Sequence, residues 1–165
     1  MAENHVSINS AFRSFIAHPF ASRLLHEFVG IPVRTINRWK NGFPRLGGER
    51  GIKISMFLQA AGFEHAESAL LTLDQRFVSE LVAFTDLTPA VLAATLGYKA
   101  PKQLYAILNG RCMSQERAFH LVDLHASLYA DVIAPKRRAI KQAVEDALQA
   151  EDIANTGGHG SPQSA

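Results

Sequence analysis

Residues 24–42 have the sequence LLHEFVGIPVRTINRWKNG, which is the most informative stretch of this chain for its fold. The stretch predicts two short helices that meet at Gly30, because glycine readily adopts the positive φ that such a turn needs. Leu25, Ile36 and Trp39 are spaced so that they fall on faces buried in one shared core. We therefore expect Trp39, the single tryptophan of the chain, to anchor the second helix.

The side chains between these apolar positions are mostly polar or basic, and we expect them to point outward. They are Val33, Arg34, Asn37, Arg38 and Asn41. In the major groove of DNA, arginine pairs with guanine and asparagine pairs with adenine. An outward helix face that carries both residue types is therefore suited to reading a DNA sequence.

A second stretch, residues 87–110 (LTPAVLAATLGYKAPKQLYAILNG), repeats the pattern of the first. Equivalent residues lie 67 positions apart, or 68 at the closing Asn-Gly pair. The matching positions are Leu25 and Leu92, Gly30 and Gly97, Glu49-Arg50 and Glu116-Arg117, and Asn41-Gly42 and Asn109-Gly110. Their common order indicates an internal duplication.

Apolar residues recur at three- and four-residue spacing along the chain and do not alternate, which predicts an all-α fold. We expect two small helical bundles in tandem, over residues 1–64 and 65–130, and a C-terminal helix over residues 131–154. The Gly/Ser-rich end, residues 155–165, is predicted to be disordered.

Both stretches resemble the helix-turn-helix of the lambda-repressor/Cro-like (Xre-type) DNA-binding domains. The resemblance covers about residues 8–128 and implies two tandem helix-turn-helix bundles, with residues 32–41 as the first recognition helix. The base contacts that it implies are made by Val33, Arg34, Asn37 and Arg38. The phosphate contacts that it implies are made by Lys40, Asn41, Arg45 and Arg50. The outward set of the second copy is Lys102, Gln103, Tyr105 and Asn109, with Lys99 and Arg111 nearby.

Three features depart from the family pattern. His26 occupies a position where the family usually has a small residue, as the second copy has at Ala93. Pro32 stands where a helix cap is common, although proline is tolerated in a first helical turn. The second copy has one extra residue before its closing Asn-Gly, which places Ala106 where the first has Arg38. Its outward face therefore carries less charge.

Charge is distributed unevenly along the chain. Residues 1–63 hold eight Lys/Arg and three acids (+5), residues 64–134 hold five and eight (−3), and residues 135–165 hold four and four. Each phosphate that a protein neutralises contributes about −0.9 to the log–log salt slope of binding. We therefore expect the first copy to dominate DNA affinity, while the second reads a weaker half-site or binds a protein.

Composition predicts a cytoplasmic protein, and the resemblance to DNA-binding domains implies association with the nucleoid. The single cysteine, Cys112, cannot form a disulfide within the chain, which suits a reducing compartment. The polar start MAENHVSINS lacks the apolar core of a signal peptide, and no apolar run is long enough to span a membrane.

No catalytic arrangement is recognisable in the sequence. GGERG, residues 47–51, lacks the preceding strand and the spacing of a phosphate-binding loop. His120 and His125 do not share a helix face, and no cysteine or acid completes a metal set with them. We therefore expect no enzyme activity, no metal site and no cofactor.

These observations predict a sequence-specific double-stranded DNA-binding transcriptional regulator, acting as a repressor that occludes a promoter. The alternative is a protein-interaction regulator of anti-activator type, whose acidic second copy captures another regulator. An accessory protein of plasmid partition or recombination would use the same DNA chemistry, and the sequence leaves that class open.

After the second copy, Pro135 is expected to open a helix in which Ile140, Val144 and Leu148 form one narrow apolar stripe. Three roles stay open for this helix. It packs on the second copy, pairs with another protomer in a homodimer, or touches DNA with its basic first turns. Those turns carry Lys136, Arg137, Arg138 and Lys141, and the helix end is acidic, which is opposite to the helix-dipole preference.

Overall fold

The computed structural model describes residues 10–42, 47–63 and 71–159. All regular elements in these ranges are helices, so the predicted all-α class is confirmed. The predicted boundary between residues 64 and 65 lies outside the described residues. In chain order the helices are α1 (10–16), α2 (Ala21–Val29), α3 (Val33–Trp39), α4 (Gly48–Ala61), α5 (Leu73–Phe84), α6 (Pro89–Thr95), α7 (Lys102–Leu108), α8 (Gln115–Leu128), a π-helical segment (Tyr129–Ile133) and α9 (Ala134–His159).

The turn between α2 and α3 has the form expected for a glycine. Gly30 has a φ of 79°, in the left-handed region, and its N–H donates to the carbonyl oxygen of His26 at the end of α2. Leu25 and Ile36 are fully buried on the two helices, and Trp39 packs half-buried against the same core. The predicted shared core of this helix pair is confirmed.

Helices α1 to α4 form the first helix set, and helices α5 to α8 form a second set of four that corresponds to it. Helices α3 and α7 are each 7 residues long, and α4 and α8 are each 14 residues long. Gly97 repeats the left-handed turn with a φ of 85°. The hydroxyl groups of Thr72, Thr88 and Ser114 cap α5, α6 and α8, each by accepting a backbone N–H of the first turn.

Both sets of helices contribute to one hydrophobic core. Helix α4 packs along α5 and α9, and α5 packs along α8. Phe15 and Phe57 of the first set meet edge to face at 5.2 Å between ring centroids, and Leu81 and Leu121 of the second set are fully buried in the same core. Full burial of such a side chain contributes about 1.5–3 kcal/mol, so the contact between the sets is a substantial part of the fold.

The C-terminal helix differs from the prediction at its start. Residues 115–159 are helical without a break, and the π-helical segment joins α8 to α9. Pro135 therefore lies inside a helix and does not open one. A proline there donates no N–H, and its ring crowds the carbonyl group four residues earlier. The wider π turn, in which the Ala134 N–H reaches the Tyr129 oxygen, accommodates this defect.

This continuity removes the conflict between the charges of α9 and its dipole. The basic turns do not lie at a helix N-terminus, because the helix begins with α8. They lie beside the last turn of α4, whose carbonyl groups carry partial negative charge. Arg137 donates to Gln59 Oε1 at 3.3 Å and lies 5.6 Å over the Phe84 ring. Arg138 and Lys141 line the same groove.

The apolar stripe of α9 is covered within the chain. Ile140 and Val144 are 1% and 0% exposed, and α9 packs chiefly on α4. Near its other end, Glu151 Oε2 lies 2.8 Å from His18 Nδ1. Helix α9 therefore packs mainly on the first set of helices, and Arg137 also contacts Phe84 of α5 in the second set. A homodimer through this stripe would require α9 to leave α4.

Helix α9 also continues through residues 155–159, where the sequence predicts disorder. Each residue added to an existing helix gains a backbone hydrogen bond without a new nucleation cost, which favours this extension. The remainder of the predicted disordered tail, residues 160–165, lies outside the described residues.

Candidate nucleic-acid interface

Helix α3 presents its polar face to solvent. Arg34, Asn37 and Arg38 are exposed, and Val33 at the first helical position is 40% exposed. Ile36 is fully buried on the opposite face, so the helix is fixed in the core while its polar side chains stay outside. Among the described residues, no carboxylate forms an ion pair with Arg34 or Arg38. Both guanidinium groups can therefore meet an anionic partner.

Trp39 holds the end of α3 against the bundle. Its ring contacts Phe12 of α1 edge to face at 5.6 Å between centroids. The guanidinium group of Arg50, at the start of α4, lies 5.8 Å from the indole centroid. The tryptophan thus connects three helices at one point, which explains its place in the most polar helix of the chain.

Two hydrogen bonds fix α3 relative to α2. Ser22 Oγ donates to Asn37 Oδ1 at 3.4 Å, and the amide oxygen retains a second lone pair for another donor. His26 Nδ1 lies 3.0 Å from the Ile31 carbonyl oxygen, across the turn. His26 is exposed, whereas its counterpart Ala93 is 1% exposed. A small residue is therefore not needed at position 26.

The residues predicted to touch phosphate surround the end of α3. Those that the structure describes are all exposed, and they are Lys40, Asn41 and Arg50. Arg45 lies outside the described residues. Glu49, the neighbour of Arg50 in sequence, pairs with Lys53 at 3.0 Å. The charge of Lys53 offsets that of Glu49, the acidic residue in the first turn of α4. The surface around α3 therefore stays basic.

Helix α7 has fewer free polar groups than α3. The exposed members of its predicted set are Lys99, Lys102, Asn109 and Arg111. Gln103 is half-buried, and its Oε1 accepts the N–H groups of Lys99 at 2.8 Å and Ala100 at 3.2 Å. This side chain therefore closes the turn before α7 and is not free to read a base.

Tyr105 is also half-buried on α7. Burial raises the pKa of its phenol, and the carboxylate of Glu49 raises it further. Because Glu49 belongs to α4, the outward side of α7 lies near an acid of the first helix set.

Arg117 was not among the predicted contact residues. Its Nη2 donates to the Gly97 carbonyl oxygen at 3.2 Å, and its guanidinium lies 4.4 Å over the Tyr98 ring. Arg50, which lies 67 residues earlier, stands over Trp39 in a similar way. The repeated Glu-Arg pair was the sequence signal for these two arginines, each of which lies on an aromatic ring beside α3 or α7.

A buried polar pair was not anticipated either. Glu80 and His125 are 8% and 7% exposed, and their Oε2 and Nε2 atoms lie 3.4 Å apart. The ring of Phe77 stacks on His125 at 3.9 Å between centroids. These contacts join α5 to α8 inside the core, away from the surface of α3.

Within the described ranges, no group of three or more His, Cys, Asp or Glu side chains could hold a metal ion. The helices of those ranges are all too short or too polar to cross a membrane. Comparison of the chain with protein-family models, curated proteins and solved structures finds no match. Function is therefore inferred from the geometry of α3 and of the residues around it.

Proposed function

We propose that the protein is a sequence-specific double-stranded DNA-binding transcriptional regulator that reads DNA mainly with α3. The exposed face of this helix carries the proposal. Arg34 and Arg38 make no ion pair with a described residue, and Asn37 stands between them on a helix whose other side is fixed in the core. The major groove admits a helix, and these residue types pair with guanine and adenine.

The surroundings of α3 supply the contacts that position such a helix. Lys40 and Arg50 are exposed beside its end, and cations of this kind neutralise phosphates on either side of a groove. Helix α7 retains exposed Lys99 and Lys102, but its Gln103 is engaged in closing the preceding turn. Helix α7 is accordingly proposed as a secondary contact to DNA.

A protein bound in this way across a promoter excludes the polymerase, so repression is the proposed mode of regulation. The protein would act in the cytoplasm, associated with the nucleoid. Its target would be a duplex, because the relevant side chains lie on a helix and not on an aromatic platform that stacks single-stranded bases.

The test is selection of duplexes from random DNA by the full chain, followed by fluorescence anisotropy on the selected duplex and a scrambled duplex. We expect the selected duplex to bind about a thousandfold more tightly or better, with affinity that falls steeply with salt. Failure to enrich any sequence, together with equal binding of both duplexes, would refute a sequence-specific reader. No binding even at low salt would refute DNA binding altogether.

A further inference from the structure

The outer face of α8 carries an apolar stripe that no part of the described chain covers. Its large side chains are Phe119 and Val122 of α8 and Tyr129, the first residue of the π-helical segment, which are 63%, 39% and 45% exposed. Ala126, also exposed, lies between the last two. We call these four residues the α8 stripe. They are spaced by three, four and three residues, so they share one side of the helix over about 15 Å.

This exposure is unusual because a neighbouring side of α8 is already used, and that side adjoins Tyr129, whose ring lies 5.5 Å from the His125 ring. Leu121 and His125 are buried there against the rest of the protein. A helix on a protein surface normally buries one apolar face and presents a polar face to water. Isolated exposed apolar residues such as Val91 are ordinary, whereas an aligned set on one helix is typical of an interaction surface.

The charges beside the Phe119 end of the stripe are acidic, whereas Tyr129 at the other end lines the groove of Arg137, Arg138 and Lys141. Asp123 is exposed and lies four residues after Phe119 and three before Ala126, so it borders both. Glu116, exposed three residues before Phe119, continues the same edge. The nearest basic residue in sequence, Arg117, is already engaged with Gly97 and the Tyr98 ring. An occupant of the stripe would therefore meet uncompensated carboxylates along one border.

A second copy of the chain does not suit this border. A two-fold axis through the middle of the stripe would place Asp123 close to Asp123 of the other copy in an antiparallel pair. A parallel pair would place the acidic border of each copy against the other border of its partner, and α8 supplies no free lysine or arginine there because Arg117, its one such residue, is engaged. Like charges facing each other across an interface oppose association, so the stripe is complementary to a different surface.

We infer that the α8 stripe docks an amphipathic helix of another protein, in which lysine or arginine residues flank the apolar side chains. The apolar side chains of that helix would cover Phe119 and Val122. Its basic residues would lie against Asp123 and Glu116. This interaction surface is separate from α3, so it does not depend on whether the protein binds DNA.

The probes for this inference are two labelled synthetic helices of about 18 residues, or about 27 Å. Both carry the same leucine stripe, and the flanking positions hold arginine in one peptide and glutamate in the other. Fluorescence anisotropy with the full-length protein should show at least about tenfold tighter binding of the arginine peptide. The combined substitution of Phe119→Ala and Val122→Ala should weaken that binding about tenfold or more.

Charge reversal at Asp123 tests whether the carboxylates that border the stripe, and not the overall charge of the protein, select the peptide. Asp123→Lys should favour the glutamate peptide over the arginine peptide. Asp86→Lys makes the same charge change at an exposed acid outside the stripe, and Val91→Ala removes an equally exposed apolar side chain. Neither control should change peptide binding, and circular dichroism should show that every variant keeps its helical content.

Three results would overturn the inference. The first is that the arginine peptide does not bind, or binds no better than the glutamate peptide. The second is that Asp123→Lys and Asp86→Lys have equal effects. The third is that the chain is a dimer by sedimentation and becomes a monomer on Phe119→Ala, because a second copy would then be the occupant. DNA affinity, measured on the same variants, should stay unchanged.

Discussion

The contributions of the two helix sets to DNA binding can be compared by removing two exposed cations from each set. One variant combines Arg34→Ala with Arg38→Ala on α3, and the matched variant combines Lys99→Ala with Lys102→Ala at α7. All four side chains are exposed, so neither variant should lose much stability. Net charge changes equally in both, so any difference in DNA binding reflects position and not total charge.

The expected losses differ in size. A bidentate arginine–guanine pair is worth about 1–3 kcal/mol, so loss of two such contacts should cost about 2–6 kcal/mol, or roughly 30-fold or more in Kd. The lysines at α7 are expected to contact phosphate alone. Their removal should mainly reduce the salt slope, by about 0.9 per contact, with a smaller loss of affinity.

The assay is fluorescence anisotropy of the selected duplex, with each variant titrated at several salt concentrations. Arg76→Ala, an exposed arginine at the start of α5, controls for general charge. The fluorescence of Trp39, the single tryptophan, reports whether α3 stays packed in each variant. Equal losses from the two double substitutions, at the same salt slope, would show that α3 is not the principal reader.

Three further predictions concern stability, measured by urea unfolding. Val144→Ala should lower the unfolding free energy by about 2 kcal/mol because the side chain is fully buried under α4, whereas exposed Gln142→Ala should change it by less than about 0.5 kcal/mol. Gly30→Ala and Gly97→Ala should each cost about 1–2 kcal/mol through the left-handed φ alone, because an added Cβ meets no atom closer than 3.8 Å. Pro135→Ala should raise the unfolding free energy by about 1 kcal/mol by restoring a helical N–H, and a loss of stability would contradict the account of the π segment.

Local features of the fold were predictable because they depend on neighbouring residues. The all-α class followed from apolar spacing, and the turn at Gly30 followed from the conformational freedom of glycine. The burial of Ile36 and the exposure of Arg34 follow from the same helical period. The exposed and buried faces of α3 could therefore be predicted from the sequence, whereas contact of this helix with DNA stays a prediction.

Features that join distant segments were not predictable in the same way. The wrong start of α9 at Pro135 came from treating proline as a helix boundary, although a π turn can absorb its missing hydrogen bond. The use of Gln103 in closing a turn, and the position of Glu49 near Tyr105, depend on how helices meet. The apolar periodicity within one helix does not indicate which distant helices it contacts.

Local sequence predicted the positions of most helices, the two glycine turns and the polar face of α3, because each depends on residues within a few turns of one another, whereas the start and end of α9 differ from the prediction. Tertiary structure decided that α4 receives the stripe of α9, and that the stripe on α8 is left uncovered. Both stripes have helical apolar spacing in the sequence. Only the packing of the whole chain selects which of them is buried, because burial depends on the area that neighbouring helices offer.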